Sequence, residues 1–214
     1  MKRTVPALLV CIGLLPTALA QGPQRMGYLG PTGSLRILVC ANDDVIMYGG
    51  QDAFHRVQPD GTLLWSASLP TFNLIGGITE TSSGDLLLAG EYHDADSAYL
   101  IPALVRLSGD GQFMDGRRFH LGPTALDVVR SVKAGPDRHV IFVRRSAIPY
   151  DLHTLLCVND LGDVQWAMTG NGWSTVHFHD IAPDPQGGAV LFDRGGFQGS
   201  VASISAQGAL QWCK

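Results

Sequence analysis

The sequence predicts an all-β protein made of four repeats of four short strands, and two regularities carry that prediction. Four stretches share a pair of apolar residues spaced by eight positions: Ile37 and Val45, Ile78 and Leu86, Val132 and Val140, Ile181 and Ala189. A glycine also recurs at intervals of 46 to 51 residues, and the residue four positions later is tryptophan in three of four cases. The glycines are Gly61, Gly111, Gly162 and Gly208, and the later residues are Trp65, Asp115, Trp166 and Trp212. Such spacing is typical of stacked supersecondary units.

The first 20 residues are predicted to be a secretory signal peptide. Lys2 and Arg3 precede an apolar run at 6–15, and residues 18–20 (ALA) supply a small-residue cleavage pattern. The run is too short for a stable membrane span. Lipidation at Cys11 is the less favoured alternative. We therefore expect cleavage near Ala20, a lead-in segment at 21–34, and a chain that is secreted, periplasmic or on the cell surface.

Charge and composition exclude some partners. The whole chain has 15 Lys+Arg and 19 Asp+Glu, a net charge of −4, and loss of Lys2 and Arg3 with the leader makes it −6 (13 − 19). No basic cluster is present, so nucleic-acid binding is not predicted. No later segment predicts a membrane span, and no cofactor is expected.

Each repeat contains four short apolar segments joined by small, polar, glycine-containing links, which are typical of hairpins. Four antiparallel strands in about 45 residues is the content of one β-propeller blade. The blades are predicted at about residues 35–69, 75–120, 127–170 and 176–214, either as a closed four-blade ring or as an arc of a larger propeller. Both faces of a blade then pack on neighbours, which suits continuous apolar runs such as 140–143 (VIFV). The repeat tryptophans Trp65, Trp166 and Trp212 are expected to pack between blades.

Two motifs carry a resemblance. Residues 60–66 read DGTLLWS and residues 81–90 read TSSGDLLLAG. They resemble the repeats of secreted bacterial β-propeller proteins, many of which are similar to cargo of the type IX secretion route. That resemblance covers residues 35–214 and implies fold and export rather than an activity. The Gly-x-x-x-Trp spacing is more distantly similar to quinoprotein-like propellers, although the adjacent cysteine pair of those enzymes has no counterpart here.

Length variation indicates where binding occurs. We letter the strands of a blade A to D in chain order, so A–B and C–D turns lie on one face and B–C loops and D-to-next-A links lie on the other. The A-to-B spacing is constant at eight residues, whereas the spacing from the start of B to the turn glycine is 16, 25, 22 and 19. We call these the constant face and the variable face. Loops that vary over a rigid scaffold are where binding residues concentrate.

The variable face is predicted to carry the ligand-binding residues, which are aromatic, acidic or histidine side chains. They are Tyr92, His93, Asp94, Asp96, Tyr150, Asp151, Trp173, His177 and His179. His177 and His179 are spaced to share a metal ion, but no spacing supplies a third ligand, so no metal site is predicted. No catalytic residue is assigned, because neither a nucleophile motif nor a recognisable carboxylate pair occurs.

The sequence favours a secreted, non-enzymatic propeller that binds a protein or glycan partner. The alternative is an extracellular glycan hydrolase or lyase with its site at the mouth of a central channel. Three cysteines follow the leader, and Cys40 and Cys157 are predicted to be buried thiols. Cys40 and Cys213 are assigned to opposite faces, so no disulfide between them is expected.

Overall fold

The fold is described from a computed structural model of the chain. It describes residues 36–49, 53–69, 72–93, 100–121, 126–135, 138–146, 152–170, 178–193 and 201–214. The chain divides into two compact units, residues 1–70 and 71–214.

The first unit contains one four-stranded antiparallel sheet, blade 1, in the order β1-β2-β3-β4. Its strands are β1 (Arg36–Val39), β2 (Val45–Tyr48), β3 (Ala53–Val57) and β4 (Leu63–Ser68). Ile46 and Phe54 are fully buried. The ring of Trp65 packs edge-on against Phe54, with centroids 5.8 Å apart. The first repeat tryptophan therefore covers the core of its own sheet.

The second unit contains the other three blades. Blade 2 has β5 (Phe72–Glu80), β6 (Leu86–His93), β7 (Leu100–Leu107) and β8 (Phe113–Arg118). Blade 3 has β9 (Leu126–Ala134), β10 (His139–Ser146), β11 (Leu152–Val158) and β12 (Val164–Gly170). Blade 4 has β13 (Phe178–Pro183), β14 (Ala189–Asp193), β15 (Val201–Ile204) and β16 (Leu210–Cys213). The predicted fold class, four four-stranded antiparallel sheets, is confirmed.

Two features extend blades 2 and 3 beyond the prediction. Strand β5 begins at Phe72, ahead of the predicted start of blade 2 at about residue 75, because two register shifts before Gly77 let it stay paired with β6. Blades 2 and 3 also join into one eight-stranded sheet through a parallel contact between Leu100 of β7 and Leu126 of β9.

The two central strands of blade 3, β10 and β11, bury side chains on both of their faces. Val140 and Phe142 of β10 belong to an apolar cluster shared with blade 4. Ile141 and Val143 belong to a second cluster shared with blade 2. Because successive side chains of a strand point to opposite sides, a strand packed on both faces must be apolar throughout. This explains the VIFV run.

The first strands of blades 2 and 3 approach each other very closely. A Cβ atom on Gly76 would lie 2.3 Å from the carbonyl oxygen of Val129, and one on Gly77 would lie 2.8 Å from the amide nitrogen of Val132. Such distances leave no room for a side chain on β5, so these two glycines allow β5 and β9 to pack backbone against backbone.

Seven hairpin turns of the described residues share one hydrogen-bonding pattern. In each, the first residue's amide donates to the carbonyl of the fifth, and the fourth residue's amide donates to the carbonyl of the first. The fourth residue always has a positive φ, between 67° and 89°. It is glycine in six turns and Asp43 in one. The repeating glycine of the sequence is therefore the residue that this turn favours at its positive-φ position.

Candidate binding face

Two of the nine predicted binding residues lie side by side at the end of β6. Tyr92 is half-buried and His93 is exposed. His179 lies on β13. The remaining six lie outside the described residues: Asp94, Asp96, Tyr150, Asp151, Trp173 and His177. Because successive side chains of a strand alternate, Tyr92 and His93 point to opposite sides of blade 2 and do not form one cluster.

Tyr92 carries an arginine on its ring. The guanidinium carbon of Arg118 lies 3.6 Å from the ring centroid. Arg118 is the last residue of β8 and is exposed. A guanidinium at this distance is attracted by the ring electrons, and so short a separation favours a stacked orientation that keeps a positive charge at this end of blade 2. Arg118 is not among the residues predicted from sequence, because the adjacent Arg117 makes its position look ordinary.

Three buried titratable residues of the second unit lie near the variable-face ends of their strands, which are the last part of β6 and the first parts of β9 and β11. Glu91 of β6 is 2% exposed, Asp127 of β9 is 3% exposed and His153 of β11 is 3% exposed. His153 pairs with Arg144 within the sheet, and its ring lies 5.3 Å from that of Phe142. Glu91 directly continues the apolar run of β6, and an acidic residue in such a run could have been recognised from the sequence as a candidate functional residue.

The constant face of the second unit is occupied by contacts between blades. In the A–B turn of blade 2, Ser82 donates both its hydroxyl and its amide hydrogen to Asp160 in the C–D turn of blade 3. The other oxygen of Asp160 lies 2.7 Å from Nε2 of His139, which is 1% exposed. The carboxylate of Asp160 therefore forms hydrogen bonds with residues of both blade 2 and blade 3.

The three residues Ser82, His139 and Asp160 do not form a nucleophilic triad. In such a triad the histidine lies between the hydroxyl and the carboxylate, whereas here the carboxylate lies between the other two. Burial raises the pKa of Asp160, but the hydrogen bonds from Ser82 and His139 outweigh it and hold the pKa below its ordinary value. A carboxylate that stays ionised and bonded on both oxygens is a structural connection.

The next pair of blades repeats this kind of contact with other residues. Arg138, beside the A–B turn of blade 3, donates to the carbonyl of Ala206 in the C–D turn of blade 4 at 3.2 Å. Between blades 2 and 3, Arg117 also forms an ion pair with Asp163 at 2.6 Å. The turns of the constant face thus connect blade to blade.

The repeat tryptophans differ in their surroundings. Trp166 packs against the cluster between blades 3 and 4. Trp212 is 44% exposed, with the ammonium of Lys214 5.8 Å from its ring centroid. In blade 2 the tryptophan position holds Asp115, which forms an ion pair with Arg106 of the neighbouring strand at 3.0 Å. Of the repeat tryptophans, Trp166 is the one that the described contacts show packing between blades, as the sequence predicted.

The remaining predictions concern metals, membranes and thiols. Among the described side chains, no three histidine, cysteine or carboxylate groups lie close enough to hold a metal ion. The described residues also include no helix with the length and apolarity that crossing a bilayer would require. Cys40 and Cys157 are buried, as predicted, and Cys213 is exposed.

Solved structures show what this chain is similar to. The sequence matches no protein-family model and no curated protein. The WD40 domain of Neurospora crassa Pan2 is 11% identical, with a TM-score of 0.58 over 83% of this chain and 50% of that domain chain. A subtype N10 neuraminidase-like protein of A/little yellow-shouldered bat/Guatemala/060/2010 is 8% identical, with a TM-score of 0.55 over 84% of this chain and 58% of that one.

The α-L-arabinanase of Penicillium chrysogenum, solved with arabinobiose, is 14% identical, with a TM-score of 0.53 over 86% of this chain and 67% of the enzyme. All three neighbours have β-propeller folds, so the β-propeller fold class of this chain is confirmed. The chain spans half to two thirds of the length of these structures. They include proteins of different functional types, so the likeness concerns the fold alone.

Proposed function

We propose that this chain is an exported, non-enzymatic β-propeller protein whose variable face binds a protein or glycan partner. The observation that carries the proposal is the difference between the two faces of the second unit. The constant face uses several of its polar groups in turns and in contacts between blades, as Asp160 and Arg138 do. The variable face presents the exposed side chains of His93 and Arg118.

The loop lengths support the same assignment. Spacings that include the B–C loops run from 16 to 25 residues, while the A-to-B spacing stays at eight. The common hydrogen-bonding pattern of the constant-face turns gives that constancy a structural reason. A face free of this constraint can change in length and sequence without loss of the fold, which suits a binding surface.

The experiment is a search for the partner followed by mapping of the binding face. The purified chain is used to retain proteins and glycans from culture supernatant, and the dissociation constant of the retained partner is then measured for variants. His93→Ala should weaken binding by at least about fivefold, as expected for removal of a contact residue. Gln186→Ala is the matched control, because Gln186 is an exposed constant-face residue whose side chain takes no part in the turn bonds.

The outcome that contradicts the proposal is equally clear. If the Gln186→Ala protein loses affinity and the His93→Ala protein does not, the constant face is the binding surface. A partner retained equally by both variants and by the unaltered chain would place the interaction elsewhere.

An extracellular glycan hydrolase or lyase is the second candidate. The observation that favours it is the burial of Glu91, Asp127 and His153 near the variable-face ends of their strands. Buried titratable groups beside a binding face are candidates for acid–base chemistry. Incubation of the retained glycan with the chain, followed by mass analysis of the products, separates the candidates: the binding function predicts an intact glycan, and catalysis predicts shortened chains that Glu91→Gln no longer produces.

Export is part of the proposal. The leader at 1–20 and the resemblance of the repeats to type IX cargo support it. N-terminal sequencing of the protein recovered outside the cytoplasm tests it. The expected first residue is Gln21, and a protein found only inside the cell with its leader intact would contradict export.

A further inference from the structure

Arg118 differs from the arginines beside it in the second unit. Arg117 forms an ion pair with Asp163, and Arg106 forms one with Asp115. The guanidinium of Arg118 lies on the ring of Tyr92 and makes neither an ion pair nor a hydrogen bond with any residue that the structure describes. Arg118 is also exposed. An exposed guanidinium that lies on an aromatic ring can still donate hydrogen bonds from its edge to a ligand.

The strand register explains how Arg118 reaches Tyr92. Tyr92 of β6 is paired with Ile101 of β7, and Ala103 of β7 is paired with Arg118 of β8. Paired residues point to the same side of a sheet, and so do residues two apart on one strand. Tyr92, Ile101, Ala103 and Arg118 thus share one side of blade 2. The small side chain of Ala103 leaves room for the arginine to extend across β7 to the ring.

A stacked arginine of this kind suits a carboxylate. The ring fixes the plane of the guanidinium, and the planar group then presents two parallel N–H donors at its edge. Because the ring already restrains the side chain, less rotamer freedom is lost when a ligand binds. The phenol hydroxyl of Tyr92 adds a group that both donates and accepts hydrogen bonds.

We propose that Arg118, held on Tyr92, is a subsite for the carboxylate of an acidic, uronate-containing polysaccharide. The proposal rests on the function proposed above and names the ligand class of that same face.

The surroundings favour a sugar polymer over a peptide. A stable protein interface needs roughly 800 Å² on each partner, with an apolar centre. Next to the pair on this side of the sheet, Ala103 is 4% exposed and Ile101 is half-buried, so neither offers a fully exposed apolar side chain as the centre of such an interface. A polymer with one carboxylate on each sugar can place any of its units on Arg118, so a single cationic subsite is enough to hold it.

The test is a calorimetric titration of the full purified chain with an oligogalacturonate of defined length. The same oligosaccharide with its carboxyl groups reduced to alcohols is the neutral probe, and a short polyglutamate peptide is the protein-like probe. The variants are Arg118→Ala, Arg118→Lys and Arg117→Ala. Arg117 is the matched control, since it is the neighbouring arginine but lies on the opposite side of the sheet, paired with Asp163.

The expected result is binding of the oligogalacturonate, with loss of about tenfold to a hundredfold in affinity for Arg118→Ala. Arg118→Lys should lose part of that affinity, because it keeps the charge but not the planar fork. Arg117→Ala should stay within about twofold, as expected for an exposed ion pair that takes no part in binding.

Four results would overturn the proposal: equal loss with Arg117→Ala, equal binding of the neutral probe, tighter binding of polyglutamate through Arg118, or no binding of the oligogalacturonate. If the oligogalacturonate does not bind but the partner retained from supernatant still binds the His93→Ala protein more weakly, the proposed binding function of the variable face is retained. The broader function fails when that partner binds the His93→Ala protein unchanged.

Discussion

The repeating turn allows the contact between blades 3 and 4 to be measured separately from the cost of the backbone conformation. Gly84 and Gly208 occupy the same position of the same turn, with φ of 84° and 80°. A Cβ atom on Gly84 would meet nothing within 4 Å, whereas one on Gly208 would lie 2.8 to 3.0 Å from the ring atoms of Trp166. The substitutions Gly84→Ala and Gly208→Ala therefore differ in that one contact.

The expected magnitudes follow from this geometry. Placing alanine at positive φ costs about 1–2 kcal/mol, and Gly84→Ala should lower the free energy of unfolding by that amount. Gly208→Ala carries the same cost plus about 1–3 kcal/mol for overpacking against the ring of Trp166. At about 2–4 °C for each kcal/mol in a chain of this size, the two melting temperatures should differ by roughly 2–12 °C.

The assay is thermal and urea unfolding of both variants, alone and combined with Trp166→Ala. Removing the ring should remove the extra cost, so Gly208→Ala in the Trp166→Ala background should cost no more than Gly84→Ala does in the unaltered chain. The reasoning is refuted if Gly84→Ala and Gly208→Ala are equally destabilising, or if the extra cost of Gly208→Ala survives the loss of the ring.

Three further outcomes are expected. Asp160→Asn should lower the free energy of unfolding by about 1–3 kcal/mol at pH 7, because charge-assisted hydrogen bonds are lost. Since the folded pKa of Asp160 is lowered, this difference is fully present above the unfolded pKa near 4 and should shrink as the pH falls through the folded pKa. Urea midpoints of the two proteins whose separation does not narrow in acid would contradict this. Trp166→Ala should cost about 2–3 kcal/mol and Trp212→Ala under about 1 kcal/mol, since only the former is covered by a neighbouring blade; equal urea midpoints would show that the two rings are equally covered. Among the described cysteines, Cys213 should react with a thiol reagent in the folded protein, and Cys40 and Cys157 only after unfolding; mass analysis of the labelled peptides checks this, and early labelling of Cys157 would contradict its burial.

The blades could be predicted from the sequence alone because each blade has the same conformational requirements at its hairpin turns and in its strands. A turn that needs a positive φ at its fourth residue favours glycine there, and six of the seven described turns have it, as at Gly162 and Gly208. A strand packed on both faces must be apolar throughout, as β10 is. These requirements are local or involve a single strand, so they appear as spacing and composition.

The contacts between blades could not be predicted in the same way. The bond between Ser82 and Asp160 joins residues 78 positions apart, and nothing in either local motif requires the other. Arg118 reaches Tyr92 across an intervening strand, and Arg117 looks equivalent to it in sequence although it faces the other side of the sheet. The candidate site depends on register, which a one-residue shift would reverse.

The most direct test of the central claim is hydrogen–deuterium exchange of the chain with and without its retained partner. The account predicts slower exchange on binding at the variable-face ends of the strands, in peptides that contain Tyr92, His93 and Arg118, while exchange in the constant-face turns Thr81–Asp85 and Asn159–Asp163 stays unchanged. Protection confined to those turns, with none at the strand ends, would contradict it.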